Sequence, residues 1–67
     1  MILDNDATKN AAQGWEIWRT SRIFQAIKIG ATPESKDAWG PQRTDANEAI
    51  ADAERLSQLY VEDKRTG

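Results

Sequence analysis

The chain has no cysteine, no histidine, only two prolines and four glycines, and no long apolar run. Without cysteine there are no disulfide staples and no thiolate nucleophile. Without histidine the other common zinc ligand is gone too, as is the side chain that titrates near neutral pH. Most routes to catalysis close with these residues, so a non-enzymatic protein with no metal and no cofactor is expected. Met1-Ile2-Leu3 runs directly into Asp4, which leaves no apolar stretch for a signal peptide or a membrane span. Asn5, Asn10 and Asn47 lack Ser or Thr two positions on, so no glycosylation site argues for secretion. A soluble, cytoplasmic protein is the expectation.

What remains is a chain of 67 residues with three tryptophans, one phenylalanine and one tyrosine. That length allows one small domain, residues 1–67, in which about 60% of the unfolded surface is buried, so a few large side chains must supply the core. Each aromatic offers roughly 150–250 Å² to such a core. Dimerisation would add to it. The net charge of −2 is unevenly spread: residues 15–43 are basic at +2, while residues 44–61, with Asp45, Glu48, Asp52 and Glu54 against Arg55, stand at −3. Such asymmetry speaks of partners and not of fold.

From Trp15 to Ile29 the β-formers recur at a spacing near two. Trp15 and Ile17 share one face, and Ile23, Gln25, Ile27 and Ile29 share one side of the next segment. The polar break Arg19-Thr20-Ser21-Arg22 reads as a hairpin connection. A continuous helix from Ala7 to Ile29 is the rival reading, opposed by Gly14, by the β-branched content and by the missing i+3 and i+4 returns. Gly30 to Asp37 reads as a loop with Pro33 as a breaker, and Ala38-Trp39-Gly40-Pro41 as a short third strand. Asp45 stands three residues before Glu48, the spacing of a capping box, and Ala46, Ala49, Ile50, Ala53, Leu56 and Tyr60 then form one apolar stripe at helical period. Residues 1–13 read as a flexible arm or as a short helix over Ala7–Gln13 capped by Asp6.

The expected fold is therefore α+β: a three-stranded antiparallel sheet with one C-terminal helix packed on one face, in the order β-β-β-α, and a possible short N-terminal helix. Ile17, Ile27, Ile50, Ala53, Leu56 and Tyr60, with at least two tryptophans, should make its core.

Candidate chemistry is sparse. Asp4-Asn5-Asp6-Ala7-Thr8 imitates the opening of a calcium loop, but Lys9 stands where a glycine must turn the chain and Trp15 where a bidentate glutamate should close the site. Gly30 to Lys36 imitates a phosphate-binding loop without its second glycine and with Glu34 where an anion would lie. The acidic stripe Asp45, Glu48 and Asp52 reads as a docking surface or as a solvated helix face. Trp18, Arg19, Arg22, Phe24 and Lys28 read as a basic, aromatic sheet face able to grip phosphates and stack on bases, or as core aromatics and hairpin punctuation.

The succession of hairpin, third strand and a helix opened by Thr44-Asp45-Ala46-Asn47-Glu48-Ala49 resembles, in layout over residues 15–60, the arm-binding domain of tyrosine integrases. That resemblance implies DNA recognition through the sheet. In size, acidity and exposed aromatics the chain also resembles small phage and mobile-element inhibitors such as anti-CRISPR proteins, which implies docking on a host protein or nucleoprotein complex. The leading expectation is such a binding protein, with Trp18, Arg19, Arg22 and Arg43 at the contact and Asp45, Glu48 and Asp52 as a second surface. A small DNA-binding module is the alternative, and a homodimer a third possibility.

Overall fold

The computed structural model describes residues 1–32 and 34–66, with the side chains of 36 and 60–66 left aside. The period-two run becomes a hairpin of β2 (Trp15–Arg19) and β3 (Phe24–Lys28), preceded by a two-residue strand β1 (Ile2–Leu3) and a short helix α1 (Asn5–Lys9). A 3-10 turn over Lys36–Ala38 leads to the long helix α2 (Ala46–Thr66). The sheet is antiparallel in the order β1-β2-β3. The α+β class, an antiparallel sheet of three strands and the terminal helix are as the sequence predicts, but the order is β-α-β-β-α in place of β-β-β-α. Among the described residues no helix is long and apolar enough to cross a membrane.

The third strand differs from expectation. Ile2 and Leu3 pair with Arg19 and Trp18 at one edge, whereas Trp39 and Arg43 make isolated antiparallel bridges to Ile27 and Phe24 at the other. The segment after Trp39 cannot continue as a ladder strand because Pro41 has no N–H to donate. It is instead held at spaced points: Gly40 N–H donates to Ala26 O at 2.7 Å, and Phe24 and Arg43 exchange backbone bonds of 2.6 and 2.8 Å. A Cβ at Gly40 would rest in van der Waals contact with Ala26 Cβ at 3.4 Å and Leu56 at 3.5 Å, so the segment packs closely against both sheet and helix.

The N-terminal residues are ordered as β1 and α1, and the helix starts earlier than Ala7. Its N-cap is Asp4 and not Asp6: Asp4 Oδ1 accepts from Ala7 N–H at 3.0 Å, while Oδ2 lies 3.4 Å from Arg19 Nε. Thr8 Oγ1 accepts from Ile17 N–H at 2.9 Å, which ties α1 to β2. The hairpin connection is Thr20–Ile23, closed by Thr20 N–H to Ile23 O at 2.9 Å, with the Thr20 hydroxyl accepting from Ile23 N–H at 3.2 Å. Gly14, with φ of +90°, turns the chain into β2 in a conformation that a Cβ would strain.

Register decides the faces. Opposed residues of an antiparallel pair project to the same side, so Trp15 with Lys28, Ile17 with Ala26 and Arg19 with Phe24 look one way, and Glu16 with Ile27 and Trp18 with Gln25 look the other. α2 covers the first side. Ala7, Trp15, Ile17, Ala26, Ala49 and Ala53 are buried together there, with Phe24, Ala46, Ile50 and Leu56 packed partly buried against them. Small side chains at Ala26, Ala49 and Ala53 bring helix and sheet close, and Ile17 and Trp15 fill what is left. α2 opens at Ala46 with Asp45 as its cap, but Asp45 Oδ1 accepts from Asn47 N–H at 3.0 Å and not from Glu48 as the capping-box spacing predicts.

The core thus contains one tryptophan, Trp15, and not two; Trp18 and Trp39 are half-buried on the other side. Ile27 is buried as expected, but under those tryptophans and away from α2. The expectations for Tyr60 and Pro33 fall outside the described residues.

Candidate binding face

The side of the sheet without α2 carries two cross-strand rows. In one, Leu3, Trp18 and Gln25 stand side by side; in the other, Glu16, Ile27 and Trp39 do. Alternation projects these six side chains together from strands whose opposite faces hold the core, which gives the surface a rigid floor. Each large group is pinned. Trp18 Nε1 donates to Glu16 Oε1 at 3.3 Å, Trp39 Nε1 donates to Thr32 O at 3.0 Å, and Gln25 Nε2 donates to Gly40 O at 2.7 Å, which fastens the segment that bears Trp39.

Between the two indoles lies an open cleft of about 390 Å³, floored by Ile27 and walled by Glu16, Trp18, Ala31 and Trp39, with Met1 at its rim. Ile27 is only 9% exposed although it lies on the face away from α2, at the bottom of the cleft whose lining includes both indoles. Met1, at 56% exposure, extends the apolar surface. Lys28 also lines the cleft, but register places it opposite Trp15, so its side chain leaves from the α2 side and meets the cleft at the strand end.

The expected basic and aromatic constellation is divided by this geometry. Trp18 lies on the open face, whereas Arg19, Phe24 and Lys28 project to the side of α2, one strand position out of phase with it. Arg19 is engaged by Asp4. Arg22 is exposed in the hairpin connection, where its side chain is available but remote from the rows above.

Arg43 is committed elsewhere. Its Nε and Nη2 donate to Asp52 Oδ2 and Oδ1 at 2.8 and 3.1 Å, a bidentate pair, and Arg55 Nη2 closes on Asp52 Oδ1 at 2.9 Å. Asp52 is 1% exposed, which removes it from any docking stripe on α2. The Arg43 hydrogen bond holds its carboxyl below the ordinary carboxylate range against the opposing effect of burial, with Arg55 assisting. The Arg43 guanidinium is raised in turn by its bond to Asp52. Backbone bonds from Arg43 to Phe24 and side-chain bonds to Asp52 make this residue a staple between sheet and helix. Asp45 and Glu48 remain exposed on the first turn of α2, and Asp45 is occupied as its cap.

Of the residues singled out from sequence, then, only Trp18 lies on the pinned aromatic face; Glu16, Ile27 and Trp39 join it there without having been foreseen as contacts. Their signal was present in the alternation: Glu16 and Trp18 are out of phase with Trp15 and Ile17, so whichever pair was covered left the other bare. A scan against protein-family models and searches of curated proteins and of solved structures find no match to this chain.

Proposed function

We propose that the chain is a non-enzymatic binding protein that docks on a host protein or nucleoprotein complex through the helix-free face of its sheet. The single observation that carries this reading is the pinned pair Trp18 and Trp39 over Ile27, left outside the core on a rigid floor. In a body this small every large aromatic is useful to the core, and two of the three tryptophans lie outside it, half-buried on the helix-free face. Tryptophan in a recess with a polar rim is the residue type that concentrates binding energy at protein interfaces. The likeness in size and acidity to phage-type inhibitors such as anti-CRISPR proteins supplies the class of role: occlusion of a functional surface on a host machine.

DNA recognition through the sheet finds less support. The face carries Glu16, while Arg19 and Arg43 are held by Asp4 and Asp52 on the other side. A duplex-DNA titration at low salt separates the two readings, because phosphate contacts give a steep salt slope that falls by about one when Arg22→Ala removes a single contact. The protein-docking reading expects no such slope.

The test of the leading reading compares three immobilised proteins in host lysate: the natural chain, Trp18→Ala/Trp39→Ala, and Asp45→Asn/Glu48→Gln. Folding of each is confirmed by far-ultraviolet circular dichroism. Specific capture should survive the acidic-face change and be lost with the tryptophans. Loss with the acidic face instead, or capture indifferent to both, contradicts the proposal.

A further inference from the structure

Two ionised side chains line the cleft, Glu16 and Lys28, and the register sends them to opposite sides of the sheet. Of the six side chains in the two rows Glu16 is the one that is ionised, set beside Trp18 and opposite Ile27 in the row that ends at Trp39. One of its oxygens accepts from the Trp18 indole N–H at 3.3 Å, a neutral donor. Glu16 takes no part in the ion pairs that join Arg19 to Asp4 and Arg43 and Arg55 to Asp52. The carboxylates of Asp4 and Asp52, by contrast, are each met by arginine.

A carboxylate hydrogen-bonded to one indole, and facing a second across an aliphatic floor, has a definite complement. The indole ring attracts a cation electrostatically, and the attraction grows as water is displaced. The carboxylate supplies the directional charge-assisted hydrogen bond, and the Ile27 floor takes the methylene stem. A guanidinium fits better than an ammonium because it is planar, more weakly hydrated, and able to lie against a ring while its edge donates to an acid. The cleft, about 390 Å³, admits one such side chain together with the backbone that carries it.

We infer that the cleft between Trp18 and Trp39 is a receptor for an arginine side chain of the partner protein, with Glu16 as its counter-ion. This rests on the docking face proposed above and names what that face reads. Net acidity of the whole chain, at −2, favours approach of a basic surface.

The experiment follows the three indole N–H resonances of the whole protein by NMR while N-acetyl-arginine methylamide is added at constant ionic strength. N-acetyl-citrulline methylamide, which has the same shape without the charge, and N-acetyl-norleucine methylamide are titrated in parallel. Arginine should shift Trp18 and Trp39 and leave Trp15 unmoved, with affinity at least about fivefold above citrulline, the range of a partly exposed cation–π contact with a charge-assisted bond. Glu16→Gln should bring arginine and citrulline level, with an unchanged Trp15 resonance reporting that the fold is kept. Norleucine binding as tightly as arginine would overturn the cation assignment while leaving an apolar docking face in place. Equal response to arginine and citrulline in the natural chain, or no response of Trp18 and Trp39, overturns it as well, and the capture comparison above then judges the docking face separately.

Discussion

Ile17 and Ile27 are both buried isoleucines of the same hairpin, on opposite faces, and the account makes them unequal. Ile17 has no exposed surface and lies among Trp15, Ala26, Ala49 and Ala53, where alanines cannot extend into a space left behind. Ile17→Ala removes three carbons and leaves an unfilled cavity, so its cost belongs toward the upper part of the range for such changes, about 4 kcal/mol. Ile27 is 9% exposed beneath Trp18 and Trp39, whose rings can settle inward and whose cleft is open to water. Its replacement by alanine should cost about 2 kcal/mol or less. For a domain of this size total stability is about 3–10 kcal/mol, and each kcal/mol moves Tm by about 4–8 °C. Ile17→Ala should therefore lower Tm by about 16–32 °C, and Ile27→Ala by about 8–16 °C or less. Urea unfolding followed by circular dichroism measures both in one series, with Trp15 fluorescence as a second probe. Equal losses, or a larger loss at Ile27, would refute the division of the sheet into a structural and a binding face.

Two further outcomes follow from the polar contacts. Asp52 is held below its ordinary value of 3.8, so it binds fewer protons folded than unfolded; its stabilisation is complete above that value and is lost as pH falls through the folded one. Stability measured from pH 6 down to pH 2 should drop through this window in the natural chain and more shallowly in Asp52→Asn, which is already weaker at pH 6; parallel curves would contradict the staple. Asp4→Ala removes both the α1 cap and the Arg19 partner and should cost about 1 kcal/mol in urea unfolding, most of it retained by Asp4→Asn, which still caps.

Much of the fold is legible from spacing alone. The period of two between Trp15 and Ile29 and the stripe from Ala46 to Leu56 each report a face that must be buried, and Asp45 before Glu48 marks the helix start. What spacing does not report is which face a helix takes when both sides of a hairpin carry apolar groups. Ile23, Gln25 and Ile27 look like a core row; the helix lies instead on Ala26 and Ile17, because alanine opposite isoleucine makes room for Ala49 and Ala53. That choice sends Trp18 outward and Arg19 inward, and it separates a constellation that looks continuous along the chain. β1 was missed because two residues carry no period; Ile2 and Leu3 become a strand only through pairing with Arg19 and Trp18. Asp52 belongs by spacing to the acidic stripe of Asp45 and Glu48, yet at about 100° per residue it stands only about 40° from Leu56, at the edge of the arc of Ala49, Ala53 and Leu56. A carboxylate buried beside an apolar stripe asks for a cationic partner, and the partly exposed Arg43 and Arg55 supply it.

The central claim, that Trp15 lies under the helix while Trp18 and Trp39 face solvent on the bare side of the sheet, is tested most directly by adding a soluble gadolinium chelate and measuring relaxation of the three indole N–H resonances. Trp18 and Trp39 should broaden strongly, and Trp15, with 3% exposure, should broaden least. Protection of Trp18 and Trp39 equal to that of Trp15 would mean that the face is already covered, and the binding surface proposed for it would not exist.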